Sequence, residues 1–242
     1  MAVPFDPIQF IIMTVVLFLG GAIQGSLGYG LGLFCVPFLT LLNPRLVPAP
    51  LIAATLVFNI AVTLREKIGL NFFGLQWIIL GSIPGALFGA KVLSIISMRT
   101  ASILIGIIVL IAVVLSILGL RMPPKKILFF FLGSISAAMA TIASIGGPTV
   151  AMAFQDEPGN RLRASLASYF IALSIISVAS LSLAGKFGGW EFWHALYMVP
   201  GMMFGYLLSN RIIKHLKQHQ IRTGILLLST VSGIVVILRQ LI

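Results

Sequence analysis

The chain has 242 residues, of which 59% are hydrophobic and only 9% charged, and its mean hydropathy is +1.13. That composition excludes a soluble globular domain and places the chain in a bilayer. The net charge of +11 would point to nucleic acid in a soluble protein, but here the basic residues sit singly or in small groups in short loops, the pattern of topogenic charge facing the cytoplasm.

Residues 1–7 lack the basic n-region of a cleaved signal peptide, so the apolar run that follows is expected to remain in the mature protein. That run, 8–42, contains no Asp, Glu, Lys, Arg or His, yet it is interrupted by Gly25-Ser26-Leu27-Gly28-Tyr29-Gly30-Leu31-Gly32. Segments 46–64, 71–92 and 100–120 then read as membrane helices. A second uncharged run, 127–154, is interrupted by Ser144-Ile145-Gly146-Gly147-Pro148-Thr149. Segments 164–184, 192–210 and 223–238 complete the set, and most approach the roughly 20 residues a bilayer demands. Broken helices at membrane depth are tolerated where the freed backbone is buried in protein or lines a cavity. A matched pair, one per half, is the sequence pointer to a transporter's binding site.

The halves match at a nearly constant offset of 116 residues. Pro84-Gly85-Ala86-Leu87-Phe88-Gly89 recurs as Pro200-Gly201-Met202-Met203-Phe204-Gly205. The same offset pairs Trp77 with Trp193, Gly69 with Gly185, Arg45-Leu46 with Arg161-Leu162, Phe38 with Phe154 and Gly30 with Gly146. After a seven-residue gap, Arg99-Thr100 matches Arg222-Thr223. The expected fold is therefore an all-α polytopic membrane protein of two homologous bundles, residues 1–122 and 123–242. Each holds one broken segment followed by three transmembrane helices.

Loop charge decides how the halves are oriented. If each broken segment returns as a hairpin, Arg65, Lys67, Arg121, Lys125, Lys126, Arg161, Arg163, Arg211, Lys214, Lys217 and Arg222 share one side. Arg45, Lys91, Arg99, Lys186 and Arg239 share the other, 11 against 5. If each broken segment crosses, the split is 9 against 7, almost no bias. The charge bias favours re-entrant hairpins, hence inverted halves, with the N-terminus outside. A run of 35 residues is too long for one straight span and suits two short arms meeting at the glycines, with a long kinked helix as the alternative.

The glycine-rich element Gly25-Ser26-Leu27-Gly28-Tyr29-Gly30-Leu31-Gly32-Leu33-Phe34-Cys35-Val36-Pro37, the Ala53-Ala54-Thr55-Leu56 helix and the second copy at Ile145-Gly146-Gly147-Pro148 resemble the sulfite exporter TauE/SafE family of bacterial membrane permeases. The resemblance covers essentially the whole chain. It implies movement of sulfur-containing anions, such as sulfite and organosulfonates, across the cytoplasmic membrane. A run of three glycines is usual in the second copy, and this chain has only two there. That departure bears on the substrate more than on the fold.

A glycine break lets backbone approach a ligand closely, and amide N–H groups released at a turn or helix N-terminus point at an anion. The candidate substrate-binding residues are Gly25, Ser26, Gly28, Tyr29, Gly30 and Gly32 in the first break. In the second they are Ser144, Gly146, Gly147, Pro148 and Thr149. Gln24, Thr55, Asn59, Thr141, Ser168 and Tyr169 are the wall residues from adjoining helices. Gly20, Gly21, Gly85, Gly89, Gly201 and Gly205 read instead as close helix packing, Asn59 also as interhelical glue, and Cys35 as a packing residue. Trp77 and Trp193 read as interfacial anchors, and Pro84 and Pro200 as matching kinks.

His194 is the one histidine inside any expected span, and its place beside Glu191 at the start of a helix reads as interfacial. The acids Asp6, Glu66, Asp156, Glu157 and Glu191 all fall in loops or at ends. Proton-coupled carriers usually hold a carboxylate or histidine in the membrane. Charge compensation here is accordingly expected not to use a central acid.

The leading function is a secondary permease working by alternating access. A passive anion channel is the alternative. An intramembrane enzyme using Ser26 or Ser144 with His194, or a structural membrane subunit, ranks below both. The G-x-S-x-G and G-x-x-x-x-G-K-[ST] elements are absent from the sequence. No catalytic residue, metal or cofactor is expected. The expected partners are a small anion and the lipid bilayer, with Arg211, Lys214, Lys217 and Arg222 suited to anionic lipid. Pairing with a second copy of the chain is compatible with this composition.

Overall fold

The computed structural model describes residues 6–66, 72–119, 123, 125–154, 157, 159–212 and 218–241. Lys67, Gly69, Asn71, Arg121, Asp156, Lys214 and Lys217, which enter the sequence reading, lie outside them. The described residues form ten α-helices and no strand. The first half comprises α1 (Pro7–Leu27), α2 (Leu31–Leu42), α3 (Ala49–Glu66), α4 (Phe72–Ile95) and α5 (Met98–Leu118). The second half repeats the plan as α6 (Lys126–Ala143), α7 (Gly147–Phe154), α8 (Gly159–Leu183), α9 (Gly189–Ile212) and α10 (Gln218–Leu241). Six of these, α1, α4, α5, α6, α8 and α10, contain stretches long and apolar enough to cross a membrane.

Local chemistry sets the helix limits. Asp6 caps α1 by accepting from the Ile8 amide at 3.4 Å, and Pro7 occupies the first turn, where a missing N–H costs nothing. The helix stops at Gly28, whose left-handed backbone returns its N–H to the Gln24 carbonyl at 2.8 Å. Ser97 caps α5 in the same way, accepting from the Thr100 amide at 3.2 Å. Helices α4 and α9 run through Pro84 and Pro200.

Both broken segments fold back on themselves. The Cys35 thiol lies 3.3 Å from the Val16 carbonyl, although 19 residues of continuous helix would separate the two by about 28 Å. In the second half the Ser136 hydroxyl donates to the Gly146 carbonyl at 2.8 Å, and the Thr149 hydroxyl lies 3.6 Å from the Met139 sulfur. The arms are unequal: 21 and 12 residues in the first hairpin, 18 and 8 in the second. The expectation of two short arms therefore needs correction, since α1 alone is long enough to span. The reason is that the turn forms at Gly28–Gly30. The earlier Gly20 and Gly21 stay helical and serve packing.

The halves interlock. Helix α1 lies along α9, and its counterpart α6 lies along α4; α3 faces α8, and α5 pairs with α10. Glycines set the closest approaches. A Cβ at Gly21 would overlap the Met202 carbonyl, and one at Gly205 would overlap the Phe18 carbonyl. One at Gly85 would overlap the Ser134 carbonyl, and one at Gly133 that of Ile78. Small residues let membrane helices pack backbone to backbone in this way, where lipid supplies no hydrophobic driving force. The α5–α10 pair is antiparallel and closed reciprocally: Arg99 donates to the Gln240 carbonyl and Arg222 to the Ser116 carbonyl. Each arginine thereby serves carbonyls at the C-terminal end of the facing helix. Large apolar side chains cover the outside, among them Ile8, Ile11 and Val15 on α1, Leu87 and Phe88 on α4, and Leu227 and Val231 on α10. Water would not tolerate a surface of that kind.

Candidate functional site

The two breaks face each other at the centre of the bundle. In the first, Gly28 (φ 83°) and Gly30 (φ 110°) both adopt left-handed conformations, which L side chains resist. In the second, Ser144 (φ 56°) takes the left-handed position, 116 residues after Gly28. A serine thus occupies the turn where the first half uses glycine. Contact between the hairpins is tight: a Cβ at Gly32 would overlap the Ser144 carbonyl, and one at Gly147 would come within 3.0 Å of the Tyr29 Cβ.

Between them lies a cavity of about 60 Å³, several times the roughly 10–15 Å³ that one water needs. Gln24, Gly30, Leu31, Gly32 and Leu33 line it from the first hairpin, and Ser144 to Pro148 from the second. Ile52, Thr55 and Asn59 close it from α3, and Phe170, Leu173, Ser174 and Ser177 from α8. None of these side chains is charged. Helix α2 begins here, and its cap Gly30 provides no side-chain acceptor. The amides of its first turn therefore have no acceptor within the helix or its cap. Helix α7 also begins at the cavity, with Gly147 and Pro148 in its first turn. Two helix N-termini thus converge on one uncharged space, which favours a negative guest.

The polar walls are held in fixed orientations. The Gln24 carboxamide donates to the Asn59 carboxamide oxygen at 2.9 Å, and Asn59 in turn donates to the Thr55 carbonyl at 2.8 Å. One N–H of each amide is committed by these bonds, which leaves the second for a guest. The Thr55 hydroxyl donates to Ile52 in its own helix at 2.8 Å. A buried relay supports the second break from behind: Ser82 donates to the Tyr169 hydroxyl at 3.3 Å, Tyr169 to Ser136 at 3.0 Å, and Ser136 to the Gly146 carbonyl.

Of the residues singled out in the sequence, Gln24, Gly30, Gly32, Thr55, Asn59, Ser144, Gly146, Gly147 and Pro148 meet at this cavity. The others lie around it. Gly25 packs against Tyr206 and Ser209, and Gly28 against Arg163. The Ser26 hydroxyl donates to Ala22 at 3.0 Å. Tyr29 packs on Gly147 and lines a separate 10 Å³ pocket with Ser116 and Arg222. Thr141 stands behind Ser177, their hydroxyls 2.9 Å apart, and Thr149 faces Met139. Tyr169 acts through the relay, and Ser168 has a buried hydroxyl without a partner among the described residues. The lining residues Ser174 and Ser177 escaped the sequence reading. Their spacing of three, on one face of α8, was the available signal.

Two neighbouring features bear on rival chemistries. His194 is buried, with Nδ1 2.6 Å from the Trp190 carbonyl and its ring stacked 3.6 Å from that of Trp190. Its position in the second turn of α9 matches an interfacial residue, but neighbouring groups cover it. The Ser144 hydroxyl donates to the Pro48 carbonyl at 3.1 Å. The Ser26 hydroxyl is likewise turned to a backbone carbonyl, that of Ala22.

Pro48 lines a second cavity, a vestibule of about 240 Å³, together with Arg45, Ser97, Lys186, Glu191 and apolar residues of α4, α5 and α8. On the side of the first break, Arg163 covers Gly28 and Arg222 reaches Ser116.

A family model described as sulfite exporter TauE/SafE matches residues 13–236. No curated protein and no solved structure matches the chain.

Proposed function

This chain belongs to the sulfite exporter TauE/SafE family, and from that premise we propose that it is a secondary permease for a small sulfur-containing anion such as sulfite or an organosulfonate. The observation that carries the proposal is the central cavity, where both broken helices present backbone N–H groups and no charged side chain intrudes. A small oxyanion there accepts hydrogen bonds from the α2 and α7 N-termini and from the spare amide protons of Gln24 and Asn59. No carboxylate lines the cavity to repel it. Charge compensation by a central acid has no group to perform it among the lining residues, so the substrate carries its own proton or moves down its gradient.

In this reading residues 1–122 and 123–242 are inverted halves that rock about the cavity, alternately exposing it to each side. The fold-back of α2 on α1 and of α7 on α6 supports inversion, because it gives each half an odd number of crossings. So does the vestibule. Arg45 and Lys186 line it together, and the two share a membrane side only in the hairpin arrangement. The N-terminus then faces outward across a bacterial cytoplasmic membrane. Substrate carriage, not catalysis, is the role this geometry serves.

The test is flux into proteoliposomes with sulfite, short alkylsulfonates, sulfate and carboxylates. Saturable uptake of sulfite or a sulfonate is expected. Flux no greater than that of empty vesicles for all four classes would overturn the proposal, and single-channel currents far above carrier turnover would replace the carrier with a channel.

A further inference from the structure

We infer that the vestibule beside Pro48 is a second binding site, distinct from the central cavity, for a singly charged organic anion with a short hydrocarbon tail. At about 240 Å³ it exceeds the central cavity fourfold in volume, so it admits molecules the centre does not. Its charge is built asymmetrically. The Arg45 guanidinium sits 4.3 Å above the Trp190 ring, and Trp190 is backed in turn by His194 at 3.6 Å. That stack positions the cation without neutralising it, since a cation–π contact leaves the guanidinium N–H groups pointing outward. Lys186 supplies the second positive charge.

Glu191 is the one acid among the described lining residues, so Arg45 and Lys186 leave the site with an excess positive charge. The Glu191 carboxylate accepts from the Gly188 amide at 2.9 Å, at the start of α9. There the helix's own N-terminus complements its charge. Neither Arg45 nor Lys186 forms an ion pair among the described residues. Leu93, Ile96 and Leu181 with neighbours from α5 give the same cavity an apolar surface. Two cations and an aliphatic surface in one cavity recognise an oxyanion head joined to an alkyl tail. Inorganic sulfite or sulfate has no tail to use that surface. The Ser144–Pro48 hydrogen bond joins a wall residue of the central cavity to one of this site, and the two cavities share no lining residue.

The position of Arg45 makes Trp190 a reporter. The chain has three tryptophans, and Trp77→Phe with Trp193→Phe leaves Trp190 alone. In nanodiscs, 1-butanesulfonate is expected to change Trp190 emission saturably, methanesulfonate more weakly and butanol not at all. Arg45→Gln and Lys186→Gln should each weaken the butanesulfonate response by about tenfold, the worth of one charge-assisted hydrogen bond. Because Arg45→Gln also alters the ring's own surroundings, Lys186→Gln supplies an independent reading. Asn59→Ala, which alters only the central cavity, should leave the response intact while impairing flux. The inference is overturned by the absence of a saturable response, by a response in both charge variants as strong as that of the parent protein, or by its loss in Asn59→Ala alone. Failure of the flux proposal with retention of this response would separate the two sites.

Discussion

Gly32→Ala probes the contact on which the central site depends. Gly32 lies in the first turn of α2 with ordinary helical backbone, so alanine is locally preferred there by about 0.5–1 kcal/mol. Against that stands the Ser144 carbonyl oxygen, which the new methyl group would overlap, with the Ser144 carbonyl carbon at 3.2 Å and the Ile145 Cα at 3.6 Å. All three are backbone atoms, so no side-chain rotation relieves the clash. The two hairpins must part by on the order of 1 Å to restore ordinary contact. Overpacking of this kind costs about 1–3 kcal/mol, leaving a net loss of about 0–2.5 kcal/mol, centred near 1. The functional effect should be larger than the stability effect, because the shift falls on the walls of a cavity of only about 60 Å³. Flux should fall by roughly a hundredfold, the scale on which a 1 Å misplacement of positioned groups is felt. The assay pairs proteoliposome uptake with thermal unfolding in detergent. Gly224→Ala serves as the control, since a Cβ there meets nothing within 4 Å. Wild-type flux and unchanged unfolding in Gly32→Ala would refute the reasoning.

Asn59 separates donor loss from charge. Asn59→Ala should weaken uptake about fivefold, the worth of one neutral hydrogen bond. Asn59→Asp places a carboxylate in the wall, and repulsion of roughly 4 kcal/mol at 4 Å and an effective dielectric near 20 should abolish measurable uptake; equal effects of the two on uptake would contradict an anionic guest. Gly205→Ala should destabilise the bundle by about 1–3 kcal/mol, because the Phe18 carbonyl blocks the methyl group. Gly224→Ala should be neutral or stabilising by comparison, and denaturant unfolding of the two variants checks the ordering. Topology is read by labelling single introduced cysteines with a membrane-impermeant maleimide. The native Cys35 is buried, so background is low. Arg45→Cys and Lys186→Cys should react from one side of the membrane and Arg163→Cys from the other. A shared side for Arg45→Cys and Arg163→Cys would refute the hairpin topology.

Much of this molecule is written in local chemistry. Uncharged runs of helical length need no tertiary information to be recognised, because the bilayer's thickness and dielectric impose both. The repeat was legible for the same reason: Pro84-Gly85 and Pro200-Gly201 hold equivalent places in α4 and α9. The site was half legible. Glycines advertise a break, yet Gly25 and Gly32 look alike in sequence while one packs in a helix interface and the other closes the cavity. Ser174 and Ser177 carry no motif and became wall residues only because α8 crosses the centre there.

The amino-acid order by itself determined that the chain spans a membrane, that its motifs recur 116 residues apart, and where its helices interrupt. These are consequences of composition and backbone preference within short windows. Only the tertiary structure decided that the broken segments fold back, that α1 lies along α9 and α6 along α4, and that both breaks share one cavity beside a larger cationic vestibule. Those outcomes depend on which carbonyl each glycine meets across the bundle, and such meetings join residues between 49 and 187 positions apart.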